Sequence, residues 1–127
     1  MEKQQKEFGD FIKELRRAKG ITLDQLSNYI GVSLSFLSDI ENKRRKPFDE
    51  EKMELLAKRL ILNDTEKAEL YDLAAKKRDS VPADVKDVIM TAPESDFIRL
   101  ALRKTKSGEL SKEDWEEFIN KKRGADV

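Results

Sequence analysis

The chain has no cysteine and no histidine among its 127 residues. Without thiols there can be no disulfide scaffold and no cysteine nucleophile. Without imidazole as well, zinc fingers and the commonest general base are excluded. Proline and glycine are scarce, at three and five residues, so few positions force a regular element to stop. Aromatic residues make up only 7%, and hydrophobic residues (38%) are fewer than charged ones (41%), which limits the core to a modest one. No apolar run approaches the roughly 18 residues that a membrane span requires, and "MEKQQKEFGD" lacks the apolar centre of a signal peptide. A soluble cytoplasmic chain of one domain or two small ones is expected, with no membrane partner. Net charge is absent too, with 26 cations against 26 anions, which argues against a purely electrostatic nucleic-acid binder.

What is present is helical period almost everywhere. Phe8, Phe11, Ile12 and Leu15 stand at i, i+3, i+4 and i+7, predicting a helix to about Lys19 that Gly20 ends. Thr22 can cap a second helix over Leu23–Ile30, and Ser33 a third, with Leu37 and Ile40 inward. Pro47 and Asp49 open a fourth, striped by Met53, Leu56, Ala57 and Leu60. Asn63 and Glu66 have capping-box spacing before a fifth helix to about Arg78, with Leu70, Leu73, Ala74 and Tyr71 as its stripe. After a break at "DSVPADV" come helices of about Asp84–Met90 and Glu94–Lys106, then a last one opened by Ser111 and Asp114. No stretch alternates as a strand would. The expected fold is all-α: a five-helix-type domain over residues 1–62 and a small helical region over 63–127.

The stretch "LDQLSNYIGVSLSFLSDIENKRRKP" carries the functional signal. Two helices of about eight residues around one glycine must cross steeply. Gly31 supplies a left-handed turn, and Val32 plugs the corner. That arrangement is a helix-turn-helix, which projects its second helix at an angle suited to a major groove. The outer face of that helix offers Ser33, Leu34, Ser35, Phe36, Ser38 and Asp39, hydroxyls for phosphates or base edges and apolar groups for thymine methyls. Lys43, Arg44, Arg45 and Lys46 follow it and can neutralise phosphates. Their placement concentrates a weak asymmetry, net +2 over residues 1–60 and −2 over the rest. The acidic pairs and triplets, Asp49 to Glu51, Glu113-Asp114 and Glu116-Glu117, stand at helix starts, where anions suit the macrodipole. No catalytic residue, metal site or cofactor is expected from them.

The longer run "LRRAKGITLDQLSNYIGVSLSFLSDIENKRRKP" resembles the Cro/phage-repressor-like helix-turn-helix domain of Xre-type regulators, over about Phe8 to Leu60. The resemblance implies double-stranded DNA as partner, contacts from Thr22 and Leu23 at the start of the second helix, and an ion pair between Arg16 and Glu41. Three positions depart from the family's habit. Leu23 replaces a frequent glutamine and offers only its backbone amide, Leu34 takes the place of a base reader, and Asp39 that of a long polar reader. "AELYDLAAKKRDSVPADV" and "EDWEEFI" resemble the C-terminal helices of regulators carried by phages and mobile elements.

The expected function is therefore a sequence-specific repressor that binds a palindromic operator as a homodimer. Phe97, Ile98, Ala101, Leu102, Trp115, Phe118 and Ile119 are its candidate dimer interface, unless a core absorbs them. The alternative is an antitoxin or adaptor that uses the helical region to bind a protein. The residues after Leu62 lack the strands of a self-cleaving domain, so induction is expected from outside, through a protein antirepressor, a ligand or a protease.

Overall fold

The computed structural model describes residues 6–124, in which all the regular structure is helical. The helices are α1 (Phe8–Ala18), α2 (Leu23–Ile30), α3 (Leu34–Glu41), α4 (Glu50–Arg59), α5 (Asp64–Arg78), α6 (Ala83–Met90), α7 (Ser95–Ser107) and α8 (Lys112–Gly124). Local chemistry sets most of their ends. Thr22, Ser33, Asp49 and Asn63 each accept a hydrogen bond from the backbone amide three residues on, starting α2, α3, α4 and α5. Helix α1 begins where the Glu7 amide donates to the Asp10 carboxylate, at 3.1 Å. None of the described helices is long and apolar enough to cross a membrane.

Backbone packing divides the chain into two compact units, one running to Asp84 and the other starting at Val85. In the first, α1 packs on α3 and α5, while α2 packs on α3 and α4. Their inward residues form one cluster that includes Ile12, Leu26, Leu37, Leu56, Leu60 and Leu70, all fully buried. The approach is closest between α1 and α3. A Cβ on Gly9 would strike the carbonyl oxygens of Ile40 and Glu41, so only glycine lets the helices meet there.

The boundary expected after residue 62 falls inside this unit. Helix α5 buries Leu70, Tyr71 and Ala74 in the same core as α1. Asn63 thus marks a helix start inside the first unit and not its edge.

Tyr71 is 2% exposed, and its hydroxyl donates to the Glu54 carboxylate, which Lys67 also approaches at 3.1 Å. Burial, then the bond to Glu54, raises the phenol's pKa. The hydroxyl in turn holds the Glu54 carboxyl below the usual carboxylate range. A raised phenol pKa means that the unfolded chain ionises first. Its stabilisation is present at neutral pH and is lost as pH rises past about 10. Tyr71→Phe should cost about 1 kcal/mol at pH 7, because the hydrogen bond to Glu54 goes. Above pH 10 the parent should lose up to about 1.4 kcal/mol per pH unit relative to the variant. Urea melts of both proteins at pH 7 and pH 11 check that the gap narrows.

The second unit is a helical hairpin with α6 ahead of it. Gly108, at φ 89°, ends α7, and Ser111 and Asp114 cap α8 reciprocally at 2.8 and 3.1 Å. Trp115 Nε1 donates to Thr105 Oγ1 at 2.8 Å, fixing one helix against the other. Arg99 donates to the Ile89 carbonyl at 2.6 Å, which ties α6 to α7. Among its described residues only Ser95 is buried, so this unit has no apolar core of its own.

Candidate nucleic-acid interface

The α2–α3 corner is held by backbone geometry. Gly31 adopts φ 78°, in the left-handed region, and the amides of Gly31 and Val32 both donate to the Ser27 carbonyl at 3.0 Å. Ser33 then restarts the helix by accepting from the Phe36 amide at 3.1 Å. This register turns Leu37, Ile40 and Glu41 into the core and leaves Ser33, Leu34 and Ser35 exposed. Ser38 and Asp39 are half-buried on the flank, where the Asn42 side-chain Nδ2 donates to Ser38 Oγ at 3.3 Å. Thr22 and Gln25 cap α2 reciprocally at 2.9 and 3.1 Å. Leu23 packs its side chain against the core; as first residue of α2, its amide has no acceptor in a preceding turn.

Arg16 and Glu41 meet through two hydrogen bonds, Nε to Oε2 at 2.7 Å and Nη2 to Oε1 at 2.9 Å. Arg16 Nη1 also donates to the Ile21 carbonyl at 2.9 Å. The side chains are 11% and 4% exposed, so Glu41 is buried and Arg16 partly so, and the hydrogen bond to Glu41 raises the Arg16 pKa. It joins α1 to the last residue of α3, fixing the angle at which α3 leaves the core.

The four cations do not form one uniform patch. Lys43 sits at φ 65°, where the chain reverses after α3, and its amine lies 3.5 Å from Asp10 and 3.7 Å from Glu7. Lys43 therefore faces the start of α1. Arg44 and Arg45 turn back towards α3, within 3.8 and 4.0 Å of Asp39. Lys46 is exposed. Phe36 is half-buried, stacked on Phe48 with centroids 6.0 Å apart, while the Arg45 guanidinium carbon lies 4.3 Å from its ring centroid.

Phe48 is a core residue that the helical stripes do not reveal. It is 2% exposed and packs edge-on to Phe8, and the carbonyls of Pro47 and Phe48 both accept from Arg78. Its signal lies in the spacing. Phe48 precedes the cap Asp49 and Met53 is the fourth helical residue, the hydrophobic-staple positions.

A helix-turn-helix family model matches residues 12–66, which contain α2, the Gly31 turn and α3. Residues 12–66 form a helix-turn-helix domain. A stretch of 38 residues is 47% identical to the uncharacterized HTH-type transcriptional regulator RghRB of Bacillus subtilis (strain 168). That stretch spans 30% of this chain and 27% of the relative. A chain from the solved SinR protein/SinI protein complex aligns over 94% of this chain and 97% of its own length, with a TM-score of 0.45 and 20% identity.

In the second unit, Phe97, Leu102, Phe118 and Ile119 are exposed, and Ile98, Ala101 and Trp115 are half-buried. A hollow of about 390 Å³ opens between Phe97, Ile98, Ala101, Leu110, Trp115 and Phe118. The expected alternative of a core built from these residues is not what this unit forms. Among the described residues no cluster of acidic side chains has the arrangement of a metal site.

Proposed function

We propose that the chain is a sequence-specific double-stranded-DNA-binding transcriptional regulator that represses by occupying a palindromic operator as a homodimer. The carrying observation is the solvent-facing side of α3, where Ser33, Leu34 and Ser35 stand clear of the core. A helix-turn-helix match and a transcriptional-regulator relative support a DNA-binding regulator and not an enzyme. In this reading Ser33, Leu34, Ser35 and Ser38 approach base edges. Thr22 and the Leu23 amide hold one phosphate strand, while Arg44, Arg45 and Lys46 hold the backbone beside the end of α3. Lys43 serves chiefly to brace α1.

The apolar hairpin of the second unit is where two copies meet, placing two α3 helices one turn of DNA apart. An antirepressor helix inserted into the same 390 Å³ hollow would compete with the second copy and release the operator. A protease that cut the hairpin away would have the same effect.

Gel-shift titrations of duplexes at two salt concentrations test the reading. Replacing Arg44 and Arg45 by alanine should weaken binding to both selected and random duplexes. The salt slope should flatten by about one unit for each phosphate that is no longer neutralised. If only selected duplexes were affected, the two arginines would be reading bases.

A further inference from the structure

We propose that Asp39 and Phe36 are positioning residues that set specificity: they hold Arg44 and Arg45 against α3 and keep them from engaging phosphates indiscriminately. This rests on the DNA-binding reading above. One carboxylate serves both arginines, with Oδ1 3.8 Å from Arg44 Nη1 and Oδ2 4.0 Å from Arg45 Nε. The Arg44 amide also donates to the Asp39 carbonyl at 2.8 Å, so the backbone reversal itself brings the arginines back to the helix. Arg45 lies on the Phe36 ring, and Phe36 stacks on Phe48, which is rooted in the core. The Arg45 guanidinium, half exposed between an aromatic face and a carboxylate, has its freedom narrowed before DNA arrives.

The consequences differ for the two kinds of DNA. Loose, non-cognate binding depends on cations reaching phosphates without any fit in the groove. Asp39 opposes it by partly neutralising the two arginines, so that they offer less charge to an approaching phosphate. When α3 is seated in its groove, the fixed Arg45 presents its remaining N–H donors with little further ordering cost. Asp39 thus lowers affinity for every duplex, but least for the one that fits.

The test uses the full chain, a 30-base-pair duplex of random sequence, and a duplex selected by the wild-type protein from a random pool. Asp39→Asn should bind the random duplex about fivefold more tightly at low salt, with a salt slope steeper by about one. Affinity for the selected duplex should rise less, so the ratio between the two falls. In the Arg44→Ala/Arg45→Ala background the effect of Asp39→Asn should vanish. Phe36→Leu keeps an apolar contact with Phe48 and should weaken selected binding about threefold, a loss that disappears when Arg45 is alanine. Unchanged or weaker random binding by Asp39→Asn would overturn the proposal, as would equal tightening without the arginines. Wild-type protein that bound no duplex at low salt would overturn the DNA-binding reading along with it; a normal wild type beside an inert Asp39→Asn would overturn this proposal alone.

Discussion

Replacing Glu41 by alanine should lower the melting temperature by roughly 15 °C or more, whereas Glu51→Ala should shift it by only a few degrees. Glu41 is 4% exposed and compensates a guanidinium that is 11% exposed. Removing it strands the Arg16 charge with only the Ile21 carbonyl as partner. Breaking a buried pair from one side costs about 3–5 kcal/mol, and in a domain of this size each kcal/mol moves the midpoint by roughly 4–8 °C. Glu51 is exposed in the first turn of α4, where its interaction with the helix dipole is worth only about 0.3–1 kcal/mol. The double variant Arg16→Met/Glu41→Leu should regain most of the loss, because matched apolar groups remove the stranded charge. Thermal melts of the four proteins decide the matter, and equal shifts for Glu41→Ala and Glu51→Ala would show that the pair does not secure the fold.

The helices are legible in the sequence because period and caps agree. Helix α2 runs from Leu23 to Ile30 as its stripe and Thr22 imply, and Ser33, Asp49 and Asn63 cap where their spacing places them. Helix ends without glycine are harder to read. Lys43, Ile61 and Asp79 all adopt positive φ just after α3, α4 and α5, and of the three only the aspartate is a type that favours it. At the first two, tertiary contacts help to offset that strain. Lys43 reaches Glu7 and Asp10, and the Lys19 amine donates to the Leu60 carbonyl at the end of α4. Such partners lie far away in sequence.

The same distance explains what the sequence hides in the candidate site. Four successive cations read as one phosphate-binding run, yet the reversal at Lys43 sends that residue to α1 and its neighbours back to Asp39. Phe36 can be read either as packed or as facing DNA, since its partner Phe48 lies twelve positions on, across the loop. The domain edge is obscured for a related reason. A capping box reports that a helix starts, and says nothing about which core its far face will join.

A chain ending at Asp84 should fold with a melting midpoint within a few degrees of the parent's, sediment as a monomer, and bind a selected duplex about a hundredfold more weakly. Among the described residues every buried hydrophobic side chain lies between Phe8 and Ala75, so the shortened chain keeps its whole core. It loses the hairpin, which buries no large apolar side chain and leaves Phe97 75%, Phe118 52% and Ile119 53% exposed. Burial returns about 25 cal/mol per Å² of such surface, so covering this face with a second copy is favourable. One helix-turn-helix module covers only roughly 600–1,000 Å² of its own surface on DNA. Coupling two modules raises apparent affinity by about 10²–10⁴ without any new kind of interaction, and that gain is what the truncation removes. Sedimentation velocity gives the oligomeric state, and gel shifts on one duplex give the affinity ratio. A shortened chain that stayed dimeric and bound as tightly as the parent would assign the apolar hairpin to a different protein, with the antirepressor as the occupant to test.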